Sequence, residues 1–202
     1  MFAGAVALVA VAGFPGPGSS SAAGATSSCG WPPLVQPFAP WKDSGQYFLA
    51  PGGNFEGPMT GWSLAGAAAI ASGNESFYVG SSSDSHSLSL PTVTSSATTP
   101  LICVTIQSPN LRFFARNKGK LSSQLAVYVN YTGADHKLHS VKIAGLKGLG
   151  GSWTLGSSIS FINYVREPLR DGNAWISFTF KPNDSQGAWS MDDLYVDPLK
   201  SQ

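Results

Sequence analysis

The sequence predicts an all-β fold, a two-sheet antiparallel β-sandwich or jelly roll. From Tyr47 onward, apolar and polar residues alternate in short runs, the period-2 pattern of half-buried strands. Clusters of Gly, Pro, Asn, Asp and Ser separate those runs, as turns between strands require. No window carries a long amphipathic helical period, so helices contribute little to the core.

The chain divides into three parts. Residues 1–25 form a signal-like segment: the apolar run "MFAGAVALVAVAGF" precedes a Pro/Gly/Ser/Ala-rich stretch, and Ala23-Gly24-Ala25 offers a small-residue cleavage site. A basic start is missing from it, and no charged residue precedes Lys42. The apolar run falls short of the roughly 20 residues that span a bilayer, so no transmembrane anchor is expected. A lipid anchor on Cys29 is disfavoured because "ATSSC" lacks the bulky apolar residue such a signal carries. The expected location is secreted or at the extracellular surface. Residues 26–46 hold too many prolines for a central strand and are expected to run extended over the body. Residues 47–202 are the sandwich domain.

Two cysteines, Cys29 and Cys103, lie outside any zinc-ligand spacing. In an oxidising compartment they are expected to form a disulfide clipping the N-terminal segment to the body; two buried free thiols are the alternative.

The candidate strands, in order, are "SFYVG", "HSLSLP", "LICVTIQ", "LRFFARN", "LAVYVNY", "HSVKIAG", "SWTLGSSI", "WISFTFKP" and "WSMDDLYVDP". Alternation assigns Leu111, Phe113 and Ala115, then Leu125, Val127, Val129 and Tyr131, then Ile176, Phe178 and Phe180 to the core. If these strands share one sheet, the opposite face presents Arg112, Phe114, Arg116, Tyr128, Asn130 and Trp175 together. Aromatic rings suit the C–H patches of sugars, and planar polar groups suit their hydroxyls. The competing use of such a face is to bury the Pro-rich segment with its Trp31, Phe38 and Trp41.

Several function classes are disfavoured. Charged residues make up 11% of the chain and the net charge is +1, which gives no footprint for nucleic acid. No G-x-S-x-G, H-E-x-x-H or phosphate-binding glycine loop occurs. Asp84, Ser85 and His86 are the residue types of a hydrolytic triad, but three adjacent residues point different ways. His86, His136 and His139 read as exposed polar residues.

"GGNFEGPMTGWSL" near the start of the β region and "GAWSMDDLYVDP" at its end resemble the bracketing motifs of galactose-binding-like jelly rolls, the fold of many non-catalytic carbohydrate-binding modules. "HSLSLP" and "LRFFARN" resemble strands of that family between them. The resemblance covers roughly Pro51 to Pro198 and leaves Cys29 to Gly45 without a counterpart. It implies a structural Ca²⁺ held at one end of the sandwich by a glutamate and an aspartate, which here match Glu56 and Asp192. Glycine-rich turns could supply the remaining oxygens of a six- to eight-ligand shell. The alternative is that both carboxylates only hydrogen-bond turn amides. The function implied is a secreted, non-catalytic module binding a glycan or cell-surface polysaccharide. A secreted structural or interaction domain without glycan binding is the alternative, and a hydrolase comes last.

Overall fold

The computed structural model describes residues 29–107 and 110–197, together with Met1. Apart from Met1, the signal-like segment expected over residues 1–25 lies outside the described residues. The strands are β1 (Phe48–Leu49), β2 (Ser63–Ala65), β3 (Ala69–Ser72), β4 (His86–Leu90), β5 (Ser96–Thr98), β6 (Ile102–Thr105) and β7 (Asn110–Asn117). They continue as β8 (Leu125–Thr132), β9 (Leu138–Leu146), β10 (Thr154–Leu155), β11 (Ile159–Ser160), β12 (Asn173–Pro182) and β13 (Trp189–Asp197).

These strands make two antiparallel sheets, as expected for a sandwich. One is seven-stranded with the path β10-β7-β13-β4-β3, with β1 pairing β13 and β11 pairing β7. The other is six-stranded with the path β2-β5-β12-β8-β9, with β6 pairing β12. The core lies between them and contains the alternating residues anticipated from sequence, Leu111, Phe113 and Ala115 facing Leu125, Val127, Val129, Ile176, Phe178 and Phe180, all buried; Tyr131, expected with them, is only half-buried and stacks on His139 near the end of β8. Phe113 of one sheet meets Phe180 of the other edge-on at 5.2 Å, the geometry that aromatic quadrupoles favour.

The "GGNF" turn is placed by close approach of backbone. A Cβ on Gly53 would lie 2.8 Å from the Leu194 carbonyl oxygen, so only glycine fits there. Backbone bonds Ala50 N–H to Leu194 O and Leu194 N–H to Gly53 O then tie this turn to β13. The tie coincides with a β-bulge between Asp192 and Tyr195, where Asp193 takes a left-handed φ of 50°.

Three details of the strand assignment differ from expectation. "SFYVG" is not a strand, because the buried Glu75 carboxylate accepts the Phe77 and Val79 amides at 2.5 and 2.6 Å and turns the chain into a loop. "SWTLGSSI" contributes only the two-residue strands β10 and β11. Strands β2, β3 and β5 carry no period-2 signal, because their Ser, Ala and Thr residues make no strong apolar alternation.

The N-terminal segment is mostly extended, with a bridge pairing Val35 and Tyr47 and one 3-10 turn over Ala39–Trp41. Cys29 and Cys103 form the expected disulfide, with Cα atoms 5.5 Å apart. From there the segment crosses onto the outer face of the seven-stranded sheet. Phe38 is fully buried there, with ring centroids of Tyr47, Tyr195 and Phe114 at 5.0, 5.5 and 6.0 Å. β7 is therefore covered on both faces.

Candidate functional site

The six anticipated face residues do not share a sheet. Arg112, Phe114 and Arg116 lie on β7 in the seven-stranded sheet, whereas Tyr128, Asn130 and Trp175 lie on β8 and β12 in the other. Phe114 is 0% exposed, sealed by Trp41 at 5.3 Å and Phe77 at 5.4 Å. Arg112 bonds Asp43 through Nη1 and donates from Nε to the Gly156 carbonyl at 3.0 Å. Burial acts to raise the Asp43 pKa, but hydrogen bonds from Gly45, Tyr47 and Arg112 hold that carboxyl below its ordinary value. Arg116 stacks over Trp153 at 4.4 Å. These three residues dock the N-terminal segment and neighbouring loops, so they drop out of the candidate surface.

The other three stand on the outer face of the six-stranded sheet. Register sets Tyr128 opposite Thr179 and Asn130 opposite Ser177. Thr98 opposes Thr179 from the other side, and Ser63 opposes Thr98. Asn130 Nδ2 donates to Thr179 Oγ1 at 2.9 Å and to Ser177 Oγ at 3.2 Å, and the Thr98 and Thr179 hydroxyls are 2.8 Å apart. The result is a cross-linked band of hydroxyl and amide groups. Ser177 and Thr179 belong to it as well: alternation with Ile176, Phe178 and Phe180 puts them on the same face as Trp175, although the expected binding set did not include them.

Trp175 stands at one end of that band and is 59% exposed. Its cross-strand partner is Cys103 on β6, so the disulfide lies beside it. Two hollows flank the indole. One of about 480 Å³ is bordered by Gly133, Glu167, Arg170 and Asn173. A smaller one of about 200 Å³ lies against Trp31 and Pro32 of the N-terminal segment.

A second arrangement occupies the end of the sandwich near the "GNFEGPMTGW" turn. Glu56 Oε1 accepts the Ser85 and His86 amides at 2.6 and 2.5 Å, and Oε2 meets His86 Nδ1 at 3.0 Å. Burial acts to raise the Glu56 pKa, but these bonds outweigh it and hold the carboxyl low. Asp192 accepts the amides of Glu75 and Asp193, both at 2.9 Å. Glu56 and Asp192 thus both reach this end, each engaged with turn amides. The buried oxygens without a hydrogen-bond partner among the described residues are Asn74 Oδ1, Asp84 Oδ2, and Asp193 Oδ1 and Oδ2. A Cβ on Gly80 would lie 2.7 Å from Asp84 Oδ2 and 3.2 Å from Asp193 Oδ1, so the two carboxylates crowd one backbone position. The Gly80 amide lies beside Asp193 without reaching hydrogen-bond geometry.

Charge accumulates here. Burial, then repulsion from Glu75 and Asp84, pushes the Asp193 pKa up to about 7. Burial also pushes Asp192 up to about 8. Asp84 is raised by burial and by Glu56. Among the described residues, no group of three or more His, Cys, Asp and Glu side chains is arranged to hold a metal. A cation between Asp84 and Asp193 would need backbone carbonyls or water for the rest of its shell, as calcium commonly accepts. The donor set fits such an ion: among the described residues the two carboxylates keep unpaired oxygens, and the charges acting on them are other carboxylates.

The hydrolytic residue types also meet here, in an unsuitable geometry. His86 Nδ1 meets both Ser85 Oγ, at 3.0 Å, and Glu56 Oε2, at 3.0 Å. A relay needs the serine and the acid on opposite ring nitrogens.

The chain matches no protein-family model and no curated protein. Solved structures share its fold. It is similar to the CBM22-1 xylan-binding domain of Paenibacillus barcinonensis Xyn10C, at 10% identity and TM-score 0.51, over 73% of this chain and 91% of that one. It is similar also to the CBM22-1-GH10 modules of Clostridium thermocellum endo-1,4-beta-D-xylanase 10B complexed with xylohexaose, at 13% identity and TM-score 0.52, over 72% and 27% of the two chains. A third likeness is to the enzymatically active domain of bacteriophage CBA120 tailspike protein 4, at 15% identity and TM-score 0.50, over 74% and 21%. The class defined is the galactose-binding-like jelly roll, the fold of carbohydrate-binding modules. The fold alone, shared here with about a fifth of that tailspike chain, does not decide activity.

Proposed function

We propose that the protein is a secreted, non-catalytic carbohydrate-binding module that holds a polysaccharide across the outer face of its six-stranded sheet. The observation that carries this reading is Trp175, a large aromatic side chain left 59% exposed at the end of a band of hydroxyl and amide groups. An indole offers a flat apolar surface to sugar C–H groups, while the half-buried Tyr128 and Thr179 can exchange hydrogen bonds with sugar hydroxyls above Asn130 and Ser177, which are buried beneath them. The bonds among Asn130, Ser177, Thr179 and Thr98 hold that part of the band in place before a ligand arrives, which lowers the entropic cost of binding. The names of two structural neighbours supply the first ligand to try, a xylan chain.

Affinity electrophoresis through soluble xylan, with xylohexaose titration by calorimetry, tests the reading. The protein should be retarded, and Trp175→Ala should weaken binding at least about tenfold, the size expected for a hot-spot aromatic. No retardation on xylan or on a panel of plant and microbial polysaccharides would overturn it.

At the acidic end the same module is proposed to hold a structural calcium ion, with Asp84 and Asp193 as its carboxylate ligands. Support comes from their unpaired buried oxygens and mutual repulsion. Bound there, the ion would neutralise the cluster and brace the loop from Glu75 to His86 against β13.

A further inference from the structure

We propose, on the reading that Trp175 stacks on a glycan, that the protein selects glycans carrying an aromatic acyl ester. The acyl ring would enter the small hollow that the disulfide-clipped N-terminal segment builds beside Trp175.

This hollow of about 200 Å³ is lined by Trp31, Pro32, Pro51, Leu101, Cys103 and Trp175, among others. Several of the polar groups in its walls are already engaged. Trp31 Nε1 already donates to the Cys103 carbonyl at 3.1 Å, and the Pro51 carbonyl already accepts Trp62 Nε1 at 2.8 Å. Pro32 and Pro51 have no N–H to offer. Ile102 and Cys103 pair with Ile176 and Trp175 in the β6–β12 ladder. A sugar hydroxyl turned against these walls and away from solvent would find few partners, at a cost of about 1–3 kcal/mol for each one left unpaired. A flat apolar ring carries no such penalty. The volume agrees: a dry apolar cavity of about 150 Å³ binds benzene.

The hollow is continuous with the glycan face. Trp175 and Leu101 line both this space and the larger hollow, and Leu101 is 62% exposed. A substituent on a sugar stacked on Trp175 can therefore enter the hollow that Trp31 also lines. The segment that forms the far wall, Cys29 to Pro32, is held there by the disulfide to Cys103 and by the Trp31–Cys103 hydrogen bond.

Three probes test the proposal by calorimetry: xylohexaose, the same oligosaccharide with one benzoyl ester, and the same with one acetyl ester. The benzoylated form should bind at least about tenfold tighter than the plain one, as burial of a phenyl ring implies. Trp31→Ala should remove that advantage and leave plain xylohexaose binding unchanged. Equal affinity for the benzoylated and plain forms, or an equal gain from acetyl, would overturn the aromatic-ester proposal while leaving the glycan reading intact. Methyl benzoate alone provides an arm independent of the sugar. It should shift the Trp31 indole N–H resonance in the unmodified protein, and no shift at millimolar concentration overturns the proposal even if every glycan fails to bind.

Discussion

Phe114 and Trp175 are both aromatic residues at outward strand positions, yet one is 0% and the other 59% exposed. Alternation identifies the face that a side chain takes and says nothing about what covers that face. The two substitutions to alanine should therefore separate. Phe114→Ala leaves a cavity among Phe38, Trp41 and Phe77 and should cost about 3–5 kcal/mol in urea denaturation. Trp175→Ala should change stability by no more than about 0.5 kcal/mol and show itself in glycan affinity. The reverse pattern would mean that the N-terminal segment lies on the six-stranded sheet. Asp193 makes the same point: its type was legible beside Asp192, but only the left-handed turn at the bulge sends it to Gly80 and leaves its oxygens without partners.

The N-terminal segment acts as an element although it contains almost no regular structure. It is anchored at Cys29–Cys103 beside one sheet and at Phe38 and Asp43 on the other. The cross-link spans 74 residues of sequence, and chain entropy assigns such a loop roughly 4 kcal/mol of stabilisation. Paired Cys29→Ser and Cys103→Ser changes should lower the denaturation midpoint accordingly. An unchanged midpoint would show that the clip positions Trp31 without supporting the fold. Phe38→Ala should also destabilise, by about 3–5 kcal/mol. Retention of the folded variant on xylan should stay unchanged, since Phe38 and Trp175 belong to opposite sheets.

Across the whole molecule, the acidic end links stability to pH and calcium. Asp193 and Asp192 have folded-state pKa values of about 7 and about 8, above the roughly 4 of an unfolded aspartate. The folded state thus holds their protons more tightly. Their stabilising contribution is complete below about pH 4 and is lost as pH rises through those folded values. In chelator, the melting temperature should fall between about pH 4 and pH 8 for this reason. Calcium should reverse the fall at neutral pH, adding about 2.7 kcal/mol at a hundredfold excess over its dissociation constant. Asp193→Asn should abolish the calcium increment, whereas Glu56→Gln should retain most of it. Identical melting curves in calcium and in chelator would remove the ion from the account.

The sequence by itself determined what depends on local periodicity. Alternating residues in "LRFFARN", "LAVYVNY" and "WISFTF" set the strands and their inward sides, and two short motifs indicated the jelly roll. Two cysteines in a secreted-looking chain indicated the clip. The tertiary structure decided what depends on pairing between distant segments: which sheet each strand joins, which outer face stays open, and which carboxylates lack partners. A strand's period is written in its own residues. Its neighbours are chosen by the burial of the whole chain, and that choice placed β7 apart from β8 and β12, divided the six expected face residues, and left Trp175 facing solvent.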